Sequence, residues 1–139
     1  MARKRVVGLG LMLAVAIAIW VYLNFLSTDP PMSRQKAAYQ MTAVELYEAF
    51  DNDEEAANKL YQNQVIELIG IVEGVEIEDG SKPVVSLATE GFGSIKATLA
   101  NTIEPSELNK YKDTEVRIKG ECIGLLLDVL LINSIILED

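Results

Sequence analysis

Residues 65–77 read VIELIGIVEGVEI, and they decide the fold. Ile66, Leu68, Gly70 and Val72 share one parity, whereas Val75 and Ile77 share the other. A period of two predicts a strand, and a slip of parity at Gly74 predicts a β-bulge. Glu78, Asp79, Gly80 and Ser81 then form a turn, and Pro83 opens a second strand over 84–88. Gly91 and Gly93 flank Phe92 in another turn. Ile95, Ala97 and Leu99 alternate with Lys96 and Thr98 as a third strand, and residues 105–111 (PSELNKY) read as a short helix. Val116, Ile118 and Gly120 alternate with Glu115, Arg117, Lys119 and Glu121, which predicts a fourth strand, the most regular in the chain. Residues 125–137 (LLLDVLLINSIIL) form a nearly continuous apolar run. It is too short and too polar, with Asp128 and Asn133, to span a membrane. It fits a strand buried on both faces and broken near Asn133.

Upstream, Thr42-Ala43-Val44-Glu45 is a capping-box pattern, followed at helical spacing by Leu46, Tyr47 and Phe50. Asn52 with Glu55 repeats the box. Residues 43–62 therefore form either two short helices or one bent helix. Three strands, a helix and two more strands is the chain order of the five-stranded OB barrel, whose bent first strand serves both halves. The fold expected is mainly β with helices: an OB-fold barrel preceded by a helical segment, plus one N-terminal transmembrane helix.

That helix rests on residues 6–23 (VVGLGLMLAVAIAIWVYL), eighteen apolar residues without a charge. With the residues to Leu26 they cover roughly 27–32 Å, about one hydrocarbon core. Arg3, Lys4 and Arg5 precede the run and orient it N-in, while Trp20 and Tyr22 suit the far interface. Cleavage at the small residues Ala14–Ala18 would leave the apolar IWVYLNFL at the new terminus, which favours an uncleaved signal anchor. The expected organisation is a cytoplasmic basic tail (1–5), a transmembrane signal anchor (6–26), a linker (27–41) and an outer domain (42–139). The outer domain would be periplasmic or extracellular.

Composition narrows the chemistry. The 139 residues include no His and one Cys, which removes most transition-metal sites and His-based catalysis. Residues 27–139 hold nine basic and 21 acidic groups, a net of −12. Binding a phosphate backbone needs a basic groove and stacking aromatics. Only Phe92 lies between the second and third strands, so nucleic acid is not the expected partner. Asp51, Asp53, Glu54 and Glu55 lack the EF-hand spacing and read as helix-terminal acids. Glu73, Glu76, Glu78 and Asp79 read as a solvated strand face. No enzyme activity, metal or cofactor is expected.

The stretches NDEEAANKLYQNQVIELIGIV (52–72) and KGECIGLLLDVLLINSIIL (119–137) resemble the bacterial tRNA_anti-like family of small OB-fold proteins. The resemblance is carried by Asn58, Tyr61, Val65, Ile66 and Gly70, and later by Gly120, Cys122, Gly124, Asp128 and Val129. It implies an OB fold behind a membrane anchor or signal sequence, and no established activity. Some members have a second Cys near the end of the last strand, where this chain has Ser134. The anchored haem chaperone of cytochrome c maturation is also similar in layout, but it needs a His. Cys122 reads as a buried apolar residue, and Asn58 and Tyr61 as packing and capping residues. The partner-binding edge expected of an OB barrel comprises Asp79, Gly80, Ser81 and Lys82 in one loop, and Gly124, Leu125 and Asp128 near the last strand. The partner would be an envelope protein or a small ligand.

Overall fold

The structure, a computed structural model, describes residues 2–25, 29–78 and 80–138, with side chains of the first helix described over 12–24. It divides into two units, Met1–Pro30 and Pro31–Asp139. Within the first unit, helix α1 covers Ala2–Phe25. Its described side chains are exposed all round, from Met12 to Leu23, so no single stripe faces a core. Among the described residues no helix is long and apolar enough to cross a membrane. The transmembrane expectation for 6–26 is therefore not supported among the described residues. The side chains of Arg3, Lys4 and Arg5 lie outside the described residues, as does Asp79.

In the second unit the elements run β1 (Tyr39–Thr42), α2 (Ala43–Asn52), α3 (Glu54–Tyr61), β2 (Val65–Glu76), β3 (Val84–Leu87) and β4 (Ile95–Leu99). They continue with α4 (Pro105–Leu108), β5 (Glu115–Leu125) and β6 (Val129–Leu137). The sheet order is β1-β2-β3-β4-β6-β5, and a further β2–β5 pairing closes five strands into a barrel. This is OB topology, with β4 and β6 parallel and the other barrel neighbours antiparallel.

The bend expected in the first barrel strand is present. Val72 pairs with Leu87 but Gly74 with Ser86, so Glu73 is the extra residue of a bulge. Before the bulge β2 pairs with β5, and after it with β3. A bulge increases local twist, which lets one strand serve both halves of the barrel. The expected break near Asn133 is a second bulge. Lys119 faces Ile135 and Glu121 faces Ile132, and Asn133 takes φ +50°.

The helical segment resolves into two helices. Thr42 accepts from the Glu45 N–H at 3.1 Å, and the Glu45 carboxylate accepts from the Thr42 N–H at 2.7 Å. This first capping box is as read from sequence. The second helix is capped one residue later than the Asn52–Glu55 pattern implies. Asp53, extended at φ −155°, accepts from the Ala56 N–H at 3.0 Å, because α2 continues through Asn52. Leu46 and Phe50 point from α2 into the core with Ile66, Leu68, Leu87 and Leu131, all essentially inaccessible. Burying such a side chain stabilises the fold by about 1.5–3 kcal/mol.

Two features carry no local signature. Residues 39–41, read as linker, form β1, which pairs parallel with Ile66–Ile69 through Tyr39–Thr42. Tyr39 also packs edge-on against Tyr61 at 4.9 Å between ring centres. Lys119, which alternates with Ile118 and Gly120 in sequence, is buried. Its ammonium donates to the carbonyls of Gln35 at 3.0 Å and Ser33 at 3.3 Å, around a 3-10 turn over Met32–Arg34. Met32 is buried in that turn, so the chain is fixed to the barrel from there on.

Candidate functional site

The expected edge falls into two parts. Glu76 pairs with Val84 at one end of β3, and Leu87 pairs with Ile95 at the other. Ile95 also pairs with Val129, and Val129 with Leu125. The β2–β3 loop, with Gly80, Ser81 and Lys82, thus lies at one end of the β3–β4 ribbon. The β5–β6 turn, with Gly124, Leu125 and Asp128, lies at the other. Gly80 adopts φ +80°, and the Ser81 N–H donates to the Glu78 carbonyl at 3.0 Å. Ser81 and Lys82 are exposed.

The β5–β6 turn is tightly organised. Asp128 accepts from the Ser94 N–H at 2.8 Å and the Ser94 hydroxyl at 3.1 Å. The Val129 N–H donates to the Ser94 carbonyl at 3.0 Å, and the Leu126 N–H to the Asp128 carbonyl at 3.1 Å. Gly124 has φ +127°, and a Cβ there would sit 2.9 Å from Asn58 Oδ1, so glycine is required on two counts. The Gln62 amide donates to the Ile123 carbonyl at 3.0 Å and the Asn63 N–H to the Cys122 carbonyl at 2.7 Å, docking the end of α3 on β5. Tyr61 packs against Tyr39 and Phe50, whereas α3 is capped by Asp53 and Gln62 rather than by Asn58 or Tyr61.

Leu126 and Leu127 differ from their sequence reading. The apolar run 125–137 is not one strand: β5 extends through Leu125, the turn takes 126–128, and β6 starts at Val129. Leu126 and Leu127 are 79% and 89% exposed rather than buried. Gly124 before them and Asp128 after them are turn residues, the only local sign that the run is interrupted. Phe92, in the neighbouring β3–β4 loop, is also fully exposed. That loop is held by the Tyr47 hydroxyl, which accepts from the Gly93 N–H at 3.0 Å, and by Thr89, whose hydroxyl donates to the Gly93 carbonyl.

Between the two loops, the outer face of β3 and β4 carries the half-buried Val84, Lys96 and Thr98 and the buried Ser86, opposite the buried Val85, Leu87, Ile95 and Ala97. Lys96 is engaged by acids. Its ammonium lies 3.1 Å from Glu76 and 4.0 Å from Asp128. The hydrogen bond and charge of Glu76 raise its pKa above the ordinary lysine value, with Asp128 and Glu73 adding to the effect. No aromatic side chain stands on this face within β3 or β4.

Elsewhere, a groove of about 600 Å³ runs over Ile69, Tyr111, Arg117 and Ile136. Arg117 approaches Glu67 at 3.7 Å, and the Tyr111 hydroxyl meets Glu138 at 3.4 Å. Burial first, then the Glu138 charge, raises the Tyr111 pKa. Among the acids noted in the sequence, Asp53 caps α3 and Glu55 pairs with Lys59 at 2.8 Å. Among the described residues no group of three His, Cys, Asp or Glu side chains is placed to hold a metal ion. Cys122 is fully buried, and that burial pushes its thiol from 9.0 up to about 11.

Strand order, bulge and barrel closure define an OB-fold domain with helices packed at its side. The chain belongs to the tRNA_anti-like family, whose model matches residues 1–136. No curated protein matches it. Among solved structures it is similar to a lipoprotein from Klebsiella pneumoniae subsp. pneumoniae MGH 78578, named by inference as nucleic acid-binding. The two share 11% identity with a TM-score of 0.55, over 73% of this chain and 93% of the other, a likeness of fold.

Proposed function

We propose that the protein is a non-catalytic binding module of the bacterial cell envelope, tethered by α1 as a single-pass, N-in anchor with the barrel outside. The observation that carries the binding part is the β3–β4 face. Where OB barrels offer cations and aromatics to nucleic acid, β3 and β4 here carry one lysine, Lys96, held by Glu76 and Asp128. A domain of net −12 repels a phosphate backbone. The partner is then a protein, taken at the end of the barrel where the β5–β6 turn projects. Support for the anchor is the uncharged apolar run of residues 6–23 behind Arg3, Lys4 and Arg5, and the lipoprotein nature of the Klebsiella relative agrees with an envelope location.

The relative's name favours a second reading, nucleic-acid binding. Two experiments separate them. A reporter active only outside the cytoplasm, fused after Asp139, is expected to be active, and an inactive reporter overturns the location. Titration of the full chain in detergent with fluorescent oligo-dT and oligo-U of about 16 nucleotides, a span that covers an OB-fold site, is expected to show no anisotropy change at low salt. Saturable binding abolished by Lys96→Glu would establish the second reading instead.

A further inference from the structure

Phe92, Leu126 and Leu127 lie on two adjacent turns at one end of the barrel, tied to each other through Ser94, Asp128 and Val129. Each side chain is almost wholly in solvent, and the loops beneath them are held by side-chain hydrogen bonds from Thr89, Tyr47 and Asp128. Single exposed apolar residues are ordinary on protein surfaces. Three on one pair of rigid turns are not, because such loops usually carry polar residues. A preordered apolar prong loses little conformational entropy on docking, which is the property of an interface anchor.

The charge around the prong selects the partner. Residues 83–95 and 120–139 contain no Lys or Arg, and the cations on the adjoining strands are engaged: Lys96 by Glu76 and Asp128, Arg117 by Glu67, and Lys119 by the Ser33 and Gln35 carbonyls. Glu90 is exposed in the same loop as Phe92, and Asp128 closes the turn that carries Leu126 and Leu127. Apolar loops that enter anionic bilayers are flanked by basic residues, and this one is flanked by acids. Resting on the envelope-module reading above, we infer that Phe92, Leu126 and Leu127 form a docking prong for a protein partner that presents an apolar pocket rimmed by Lys and Arg. The acidic rim steers the approach and the three side chains fill the pocket.

The test places a photo-crosslinking amino acid at Leu126 of the full chain in the membranes of the cells that make it, with parallel probes at Lys82 and Ile69. The expected result is a discrete protein adduct from Leu126. Its yield falls about tenfold with Phe92→Ser and Leu127→Ser together. It falls severalfold with Glu90→Lys, and likewise when salt is raised to about 0.5 M. Both serine changes are at exposed positions, and unchanged thermal unfolding would show that the fold is intact. A lipid adduct, no adduct, or an adduct indifferent to Glu90→Lys and to salt overturns the inference. Protein adducts at Lys82 or Ile69 without one at Leu126 would leave the module standing and remove the prong. No protein adduct at any position would remove both.

Discussion

Asp128 binds Ser94 twice, through the backbone N–H at 2.8 Å and through the hydroxyl at 3.1 Å. It thereby ties the β5–β6 turn to the β3–β4 loop, 34 residues away in sequence. A carboxylate inside an apolar run is costly unless its oxygens find donors. Here one oxygen takes both Ser94 donors, and the other lies 4.0 Å from the Lys96 ammonium. Asp128→Ala is expected to lower stability by about 1–3 kcal/mol, with Asp128→Asn costing less because it keeps an acceptor. Urea unfolding of the full chain in detergent measures it.

Lys119 tests the attachment of residues 32–35. Lys119→Met keeps the stem and removes the ammonium, leaving the Ser33 and Gln35 carbonyls without their donor. The expected cost is about 1–2 kcal/mol. The segment should also open locally, so trypsin should cut after Arg34 several times faster than in the unsubstituted protein. Equal cleavage rates would show that Met32 alone holds the segment.

The Cys122 thiol has the folded pKa raised from 9.0 to about 11 by burial. Below pH 9 both folded and unfolded chains hold the proton. Between pH 9 and 11 only the folded chain does, so the unfolded chain gains and stability falls as pH rises, by up to about 2–3 kcal/mol. Cys122→Ala should flatten that loss. A residual slope of the same sign remains from Lys96 and Tyr111, whose folded pKa values are also raised. A thiol reagent at pH 8 should label Cys122 only after denaturation.

Gly120 lies where β5 crosses close to Ser134, and a Cβ there would overlap the Ser134 hydroxyl and sit 3.1 Å from its Cβ. Gly120→Ala is expected to destabilise the barrel by about 1–3 kcal/mol. Adding Ser134→Gly should recover part of it, and a double-mutant cycle by chemical denaturation reads the coupling. Strict additivity would show that the strands adjust elsewhere.

Removing the α3 cap should weaken the helices without touching the barrel strands. Asp53→Ala loses the acceptor for the Ala56 N–H and is expected to cost about 1 kcal/mol. Asn52→Ala, at the position the sequence pattern favours, should cost only a few tenths. Thermal melts of the two variants distinguish the cap.

Strand periodicity, the slip at Gly74, the break near Asn133 and the Thr42–Glu45 box are properties of neighbours in the chain, so they are legible without a fold. The same holds for the class of fold, since the order of three strands, a helix and two strands restricts the closures available. The tertiary structure alone decided the rest. Tyr39–Thr42 is a strand because Ile66–Ile69 supplies a parallel partner and Tyr61 a ring to pack on. Lys119 is buried because two distant carbonyls accept its charge. Leu126 and Leu127 look like their neighbours in the run 125–137, and an apolar pattern is the same for a buried strand and an exposed turn. What separates them is whether another part of the chain arrives to cover them. Asp128 pins that turn to Ser94 and leaves both leucines in solvent.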